Sequence, residues 1–212
     1  MEIIVLIIAF ALTITIHEMA HAWEADRLGD PTARLAGRLS FNPLVHYDPV
    51  GSTLLIVTVI MTIMGALPFP FGWAKPVPID PYNLQKPRKD SALISLAGPV
   101  ANLALAMALS ILVRVFPNAG LFNLFYSVIL LNIALAVFNL IPVHPLDGGK
   151  VLIGILPAKD ARNLDLFLNR YGMLLLLILI FPIFGGVSLI SVFINPVINF
   201  ILHILLPGAS LI

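Results

Sequence analysis

The amino-acid sequence predicts an all-α polytopic membrane protein with five or six transmembrane helices. Three observations carry that prediction. Hydrophobic residues make up 59% of the 212, and charged residues only 11%, where a soluble domain carries roughly a quarter. Mean hydropathy is +1.02. The apolar residues also gather into runs close to the ~20 residues that one crossing needs. This composition excludes disorder and leaves no length for a separate soluble domain, so one membrane-embedded unit is expected over 1–212. The lipid bilayer is the expected surrounding, and nucleic acid is not an expected partner. Without cysteine, disulfides, thiolate metal sites and cysteine nucleophiles are all excluded. Chemistry falls to His, Asp, Glu, Ser and Asn.

The first helix is expected over 3–23, an apolar run from Ile3 to Ile16 continued by His17 to Trp23. It has neither a basic leading region nor a small-residue cleavage site, so it is expected to stay in the mature protein. Four pairs, Asp30-Pro31, Asn42-Pro43, Asp48-Pro49 and Asp80-Pro81, each put a capping residue before a proline suited to a first helical position. The segment 50–79 starts apolar, Val50 to Leu67, and turns proline-rich from Pro68 to Ile79. Core helices are expected at 91–116 and 121–156, the second broken near Pro142 and Pro145, and C-terminal helices at 171–184 and 187–206.

The basic residues decide how segment 50–79 is read. If all six runs cross, the 12 Lys and Arg divide eight to four between the two sides. If 50–79 instead enters the membrane and returns to the side it left, eleven fall on one side and only Arg114 on the other. The excess of Lys and Arg on cytoplasmic loops therefore favours a re-entrant segment and an extracytoplasmic N-terminus. Within it, Pro68, Pro70, Pro76 and Pro78 share one edge of an extended strand, and the other edge carries the N–H groups of Phe69, Phe71, Lys75 and Val77. That edge is able to pair with an added peptide strand. A proline-rich loop that merely stiffens the return is the equal alternative.

His17-Glu18-Met19-Ala20-His21 is an HExxH motif. Residues four apart share one helical face, so both imidazoles reach one metal ion while Glu18 stands beside it to activate water. Zinc is the natural occupant, one ion per chain, and a catalytic zinc typically takes a third protein ligand. Ionisable side chains in an apolar run carry a transfer cost that a chance surface position would not offset. Asp147 is a candidate third ligand, because Asn139-Leu-Ile-Pro-Val-His-Pro-Leu-Asp-Gly-Gly149 breaks a spanning run, and irregular backbone at that depth lines a cavity or is buried in protein. His144 is its rival, and an ordinary Asp-Gly turn is the plain alternative. His46 fits a short capped turn, and His203 fits helix packing.

These motifs, with Ala97-Gly-Pro-Val-Ala-Asn102 between them, resemble the site-2 protease family of intramembrane zinc metalloproteases, in a short form without a PDZ domain. The resemblance implies His17, His21 and Asp147 as zinc ligands, Glu18 as general base, and Asn139 as a contact to the substrate carbonyl or its oxyanion. Lys75 and Asn102 are further candidates for that contact. It also implies transmembrane protein substrates and a multi-pass cell-membrane location with the active site toward the cytoplasm. In such a family both motif helices run the same way, which requires an even number of crossings between Trp23 and Ser91. Two other readings use the same residues. A membrane metal transporter or sensor would need His17, His21 and Asp147 but no base, and a silent scaffold would need none of them.

Overall fold

A computed structural model describes residues 2–64, 72–116, 119–181 and 188–206. The helices are α1 (Glu2–Arg27), α2 (Thr32–Leu35), α3 (Pro49–Ile63), α4 (Pro87–Val115), α5 (Ala119–Asn139), α6 (Asp147–Ile155), α7 (Ala158–Ile180) and α8 (Leu189–Leu205), with 3-10 turns at Pro43–His46 and Pro81–Asn83. Two helices among the described residues, α4 and α7, are long and apolar enough to cross a membrane. The bundle is built around α4, which packs against α1, α5 and α6. Ala106, Val113, Ile129, Ile133, Leu202 and Leu206 form a core joining α4, α5 and α8. Small residues bring helices close: a methyl added at Gly154 would come within 2.2 Å of Ala92 Cβ, so α6 lies directly on the start of α4.

Each Asx-Pro pair caps the turn it precedes. Asp30, Asn42, Asp48 and Asp80 accept amide N–H groups from Thr32, Leu44, Gly51 and Tyr82 respectively. Asp30 does more, because its second oxygen takes the N–H of Asp80 at 2.7 Å, and the Asn83 amide donates to its first at 2.9 Å. Ala25, Leu84 and Ile94 pack together at the same place. The chain between Pro31 and Ile79 therefore leaves and returns to one end of the bundle. Arg88 shares that end with the close of α6, donating to Leu156 O. Arg114 marks the opposite end, where it donates to the carbonyls of Ile204 and Leu205.

Several elements differ from expectation for physical reasons. α1 continues past Trp23 to Arg27, since polar residues do not stop a helix; Gly29, at φ 104°, does. α7 begins at Ala158 and not near 171, because its first three turns are polar yet good helix formers. The stretch 121–156 is two helices, interrupted between Asn139 and Asp147 where Pro142 and Pro145 cannot continue the ladder. No strand ladder forms among the described residues. Residues 72–80 are extended, but Arg38 holds them by bonding Val45 O, Lys75 O and Pro76 O, and the Lys75 N–H goes to His46 O at 2.9 Å. Lys75 is thus not among the N–H groups open to an added strand, and Phe69 and Phe71 lie outside the described residues.

Candidate metal centre

Helical spacing puts His17 and His21 on the face of α1 that meets α4, and the break after α5 delivers Asp147 to them as the first residue of α6. His17 Nε2 lies 3.1 Å and His21 Nε2 3.3 Å from Asp147 Oδ2. The two rings stand edge to face, centroids 4.6 Å apart. Both histidines are buried.

The tautomers follow from the partners. His21 Nδ1 lies 2.6 Å from Ile94 O, and His17 Nδ1 lies 3.1 Å from Asn102 Oδ1. Carbonyl oxygens only accept, so each neutral ring carries its proton on Nδ1 and turns the Nε2 lone pair inward. Two lone pairs and a carboxylate oxygen then converge with no donor among them. A metal cation satisfies such a set. Two ligands on a tetrahedral zinc at about 2.1 Å stand roughly 3.4 Å apart, so the two histidine–Asp147 spacings are close to those of ligands sharing one ion. All three ligand atoms lie within 4.8 Å of one another.

α4 supplies the support. A methyl at Gly98 would lie 2.5 Å from His21 Nε2 and 2.7 Å from His17 Cε1, so glycine there makes room for both rings. Pro99 has no N–H for Ser95 O, which loosens the turn next to the carbonyl that His21 uses. On α6, a methyl at Gly148 would lie 2.3 Å from Leu140 O, so glycine lets the Asp147 turn sit against the end of α5.

The other candidate residues divide. Glu18 is half-buried, next to His17, and none of the hydrogen bonds or ion pairs among the described residues uses its carboxylate. Asn139 stands in the last turn of α5 and donates to Leu135 O. Asn102 is fully buried, with its amide oxygen toward His17 and its amide nitrogen on Asn132, so in this structure it orients a histidine. The Lys75 side chain is exposed. His144 is set apart from the cluster, its Nε2 3.7 Å from Asp165 Oδ1. His46 closes the capped turn, with Nε2 on Ser40 O. Asn132 and Thr13 join the centre unannounced by any motif; the signal was a lone amide in the middle of an apolar run. A cleft of about 230 Å³ opens between α1, α5 and α8, lined by Phe10, Leu135, Phe138, Ile194 and Asn195 among others. Phe10 precedes His17 by seven residues, about 10 Å along α1.

The model of peptidase family M50 matches residues 5–118 and 113–181. YwhC of Bacillus subtilis is 36% identical over 184 residues, covering 82% of this chain and 78% of that protein. Rip2 of Mycolicibacterium smegmatis is 32% identical over 181 residues, covering 84% and 66%. Both are named "putative zinc metalloprotease". MJ0392 of Methanocaldococcus jannaschii, named a zinc metalloprotease, is 31% identical over 118 residues, covering 47% of this chain and 35% of its own length. No solved structure matches. A family match over most of the chain, around a donor set that fits zinc, means that the chain belongs to peptidase family M50 and is a zinc metalloprotease.

Proposed function

We propose that this metalloprotease works inside the bilayer as one membrane-embedded peptidase unit over 1–212, hydrolysing peptide bonds within or near transmembrane segments of other proteins. The observation that carries the reading is the convergence of three acceptors, His17 Nε2, His21 Nε2 and Asp147 Oδ2, in an apolar helical bundle. These residues hold one zinc ion per chain. When bound, zinc supplies a Lewis acid that polarises the scissile carbonyl and lowers the pKa of water to about 7. Glu18 takes the proton of the attacking water and returns it to the leaving amine nitrogen as the C–N bond breaks. Asn139 donates to the substrate carbonyl oxygen. The cleft beside Phe10 continues the α5 face that bears Asn139, which supports its use by a locally unwound substrate segment. The extended stretch 72–79, with the Lys75 side chain exposed, is the proposed platform for that segment, and pairing there would fall to Val77.

The setting we propose is a multi-pass protein of the cell membrane with the active site toward the cytoplasm. The distribution of basic residues supports it, as does the shared end of Asp30, Asp80 and Asn83, which suits a re-entrant 50–79. The apolar runs suggest five or six passes. The shared end of Arg114 and the close of α8 favours α7 and α8 dividing one pass between them, which together with a re-entrant 50–79 reduces the six apolar runs to four passes.

The test is a purified Glu18→Gln variant given a single-pass substrate in lipid vesicles. Zinc content should match the parent while cleavage falls by at least about 100-fold, the scale of a lost general base. Cleavage at the parent's rate would remove the mechanism. A transporter or sensor has no need of Glu18, and the family match weighs against both.

A further inference from the structure

We infer that Asn132, in the middle of α5, is a positioning residue that sets, through Asn102, which nitrogen of His17 faces the metal. The inference rests on the metal-centre reading above. A line of hydrogen bonds crosses three helices. Asn132 Nδ2 donates to Val128 O at 2.8 Å and to Thr13 Oγ1 at 2.9 Å. Asn102 Nδ2 donates to Asn132 Oδ1 at 3.0 Å, and Asn102 Oδ1 faces His17 Nδ1 at 3.1 Å. Thr13, Asn102 and Asn132 are all fully buried.

The direction of this line is dictated from its far end. Val128 O can only accept, so Asn132 must turn its NH2 toward it and its oxygen toward Asn102. Asn102 must answer with its own NH2, which leaves its oxygen for His17. An amide oxygen also only accepts, so the His17 proton stays on Nδ1 and the lone pair on Nε2, 3.1 Å from Asp147. If Asn102 turned over, its NH2 would draw the His17 lone pair to Nδ1. The proton would then sit on Nε2, which could not ligate. A backbone carbonyl of α5 thereby selects the His17 tautomer through two side-chain amides. His21 obtains the same tautomer in one step, from Ile94 O of α4. Thr13 O, 3.4 Å from Asn102 Nδ2, is a second and longer restraint on the same orientation.

The experiment measures zinc affinity of the full chain in detergent by competition with a chromophoric chelator, beside thermal unfolding of the metal-free protein. Asn132→Leu removes the acceptor that Asn102 faces and should weaken zinc binding by about tenfold or more, the usual scale for a partner of a metal-bound histidine. Asn132→Asp keeps an acceptor whether or not it is protonated and should bind zinc nearly as the parent does. In an Asn102→Ala background, Asn132→Leu should cost nothing further, because its effect passes through Asn102. A residue that only ties helices together would lower the unfolding temperature and leave zinc affinity unchanged. That result, or full additivity with Asn102→Ala, overturns the inference. If Asn132→Leu does not fold, Asn132→Val, closer to Asn in volume, is measured in its place. His21→Ala separates the two readings. Parent zinc binding that survives His21→Ala defeats the metal-centre reading itself, while binding that depends on His21 but ignores Asn132 defeats only this inference.

Discussion

Gly98 has a hydrogen for a side chain because two imidazoles occupy the space a methyl would need. The nearest atoms are ring atoms fixed by Ile94 O and Asn102 Oδ1, so they cannot swing aside without giving up those bonds. Gly98→Ala should therefore displace both histidines and weaken zinc binding by at least about tenfold, a shift of the kind that outer-shell changes produce. Chelator competition measures it, and the helix content by circular dichroism should stay near the parent's. Unchanged zinc affinity would mean that α4 yields and that its contact with the rings is loose. His17 and His21 were legible as a candidate pair because HExxH is a local pattern on one helix. Asp147 was legible only as a carboxylate in broken apolar backbone, and it took the family resemblance to prefer it over His144. The tie of Asn102 to His17 was not legible, since nothing in a sequence tells which way a buried amide turns.

At the scale of elements, one carboxylate ties the end of α1 to the approach of α4. Burial alone would raise the Asp30 pKa, but donors from Thr32, Asn83 and Asp80 outweigh it and hold the carboxyl below its ordinary value. The folded-state pKa is thus the lower one. Its contribution to stability is complete above the unfolded value of about 3.9 and is lost as pH falls through the folded value. Asp30→Asn should destabilise the protein by about 2 kcal/mol at pH 6, the scale of a hydrogen bond to a charged group. The gap to the parent should narrow below pH 4. Unfolding midpoints at pH 6, 4 and 3 test this, and a gap that widened on acidification would reverse the sign of the argument. The Asx-Pro pairs that make such ties were readable because proline and a short acceptor act within three residues. Helix ends were not. α7 starts in polar sequence that hydropathy passes over, and the stretch after α3 is held by Arg38, which bonds Lys75 O and Pro76 O across more than thirty-five residues of chain and Val45 O nearby.

At the scale of the whole molecule, the two ends of the bundle can be named from hydrogen bonds alone. Asp30, Asp80, Asn83, Arg88 and Leu156 gather at one end, and Arg114 with Ile204 and Leu205 at the other. The first end also carries most of the basic residues, so it should face the cytoplasm. α8 reaches the Arg114 end at its C-terminus, and its first turns line the cleft beside Leu135 and Phe138 near the close of α5. Leu176 of α7 packs with Val143 and Leu146 on that same side. In the proposed arrangement α7 and α8 follow one another toward the Arg114 end, whereas a pair of opposed crossings would bring α8 back to the cytoplasm. Because the chain has no cysteine, single cysteines report without background. Leu35→Cys, Tyr82→Cys and Lys159→Cys, all at exposed positions, should react with a membrane-impermeant maleimide only after permeabilisation. Phe116→Cys and Ile204→Cys, also exposed, should react in intact cells. Opposite behaviour of Leu35→Cys and Tyr82→Cys would make 50–79 a full crossing. Ile204→Cys protected alongside Tyr82→Cys would restore two separate C-terminal crossings, and reversal of the whole set would put the zinc site toward the cell exterior.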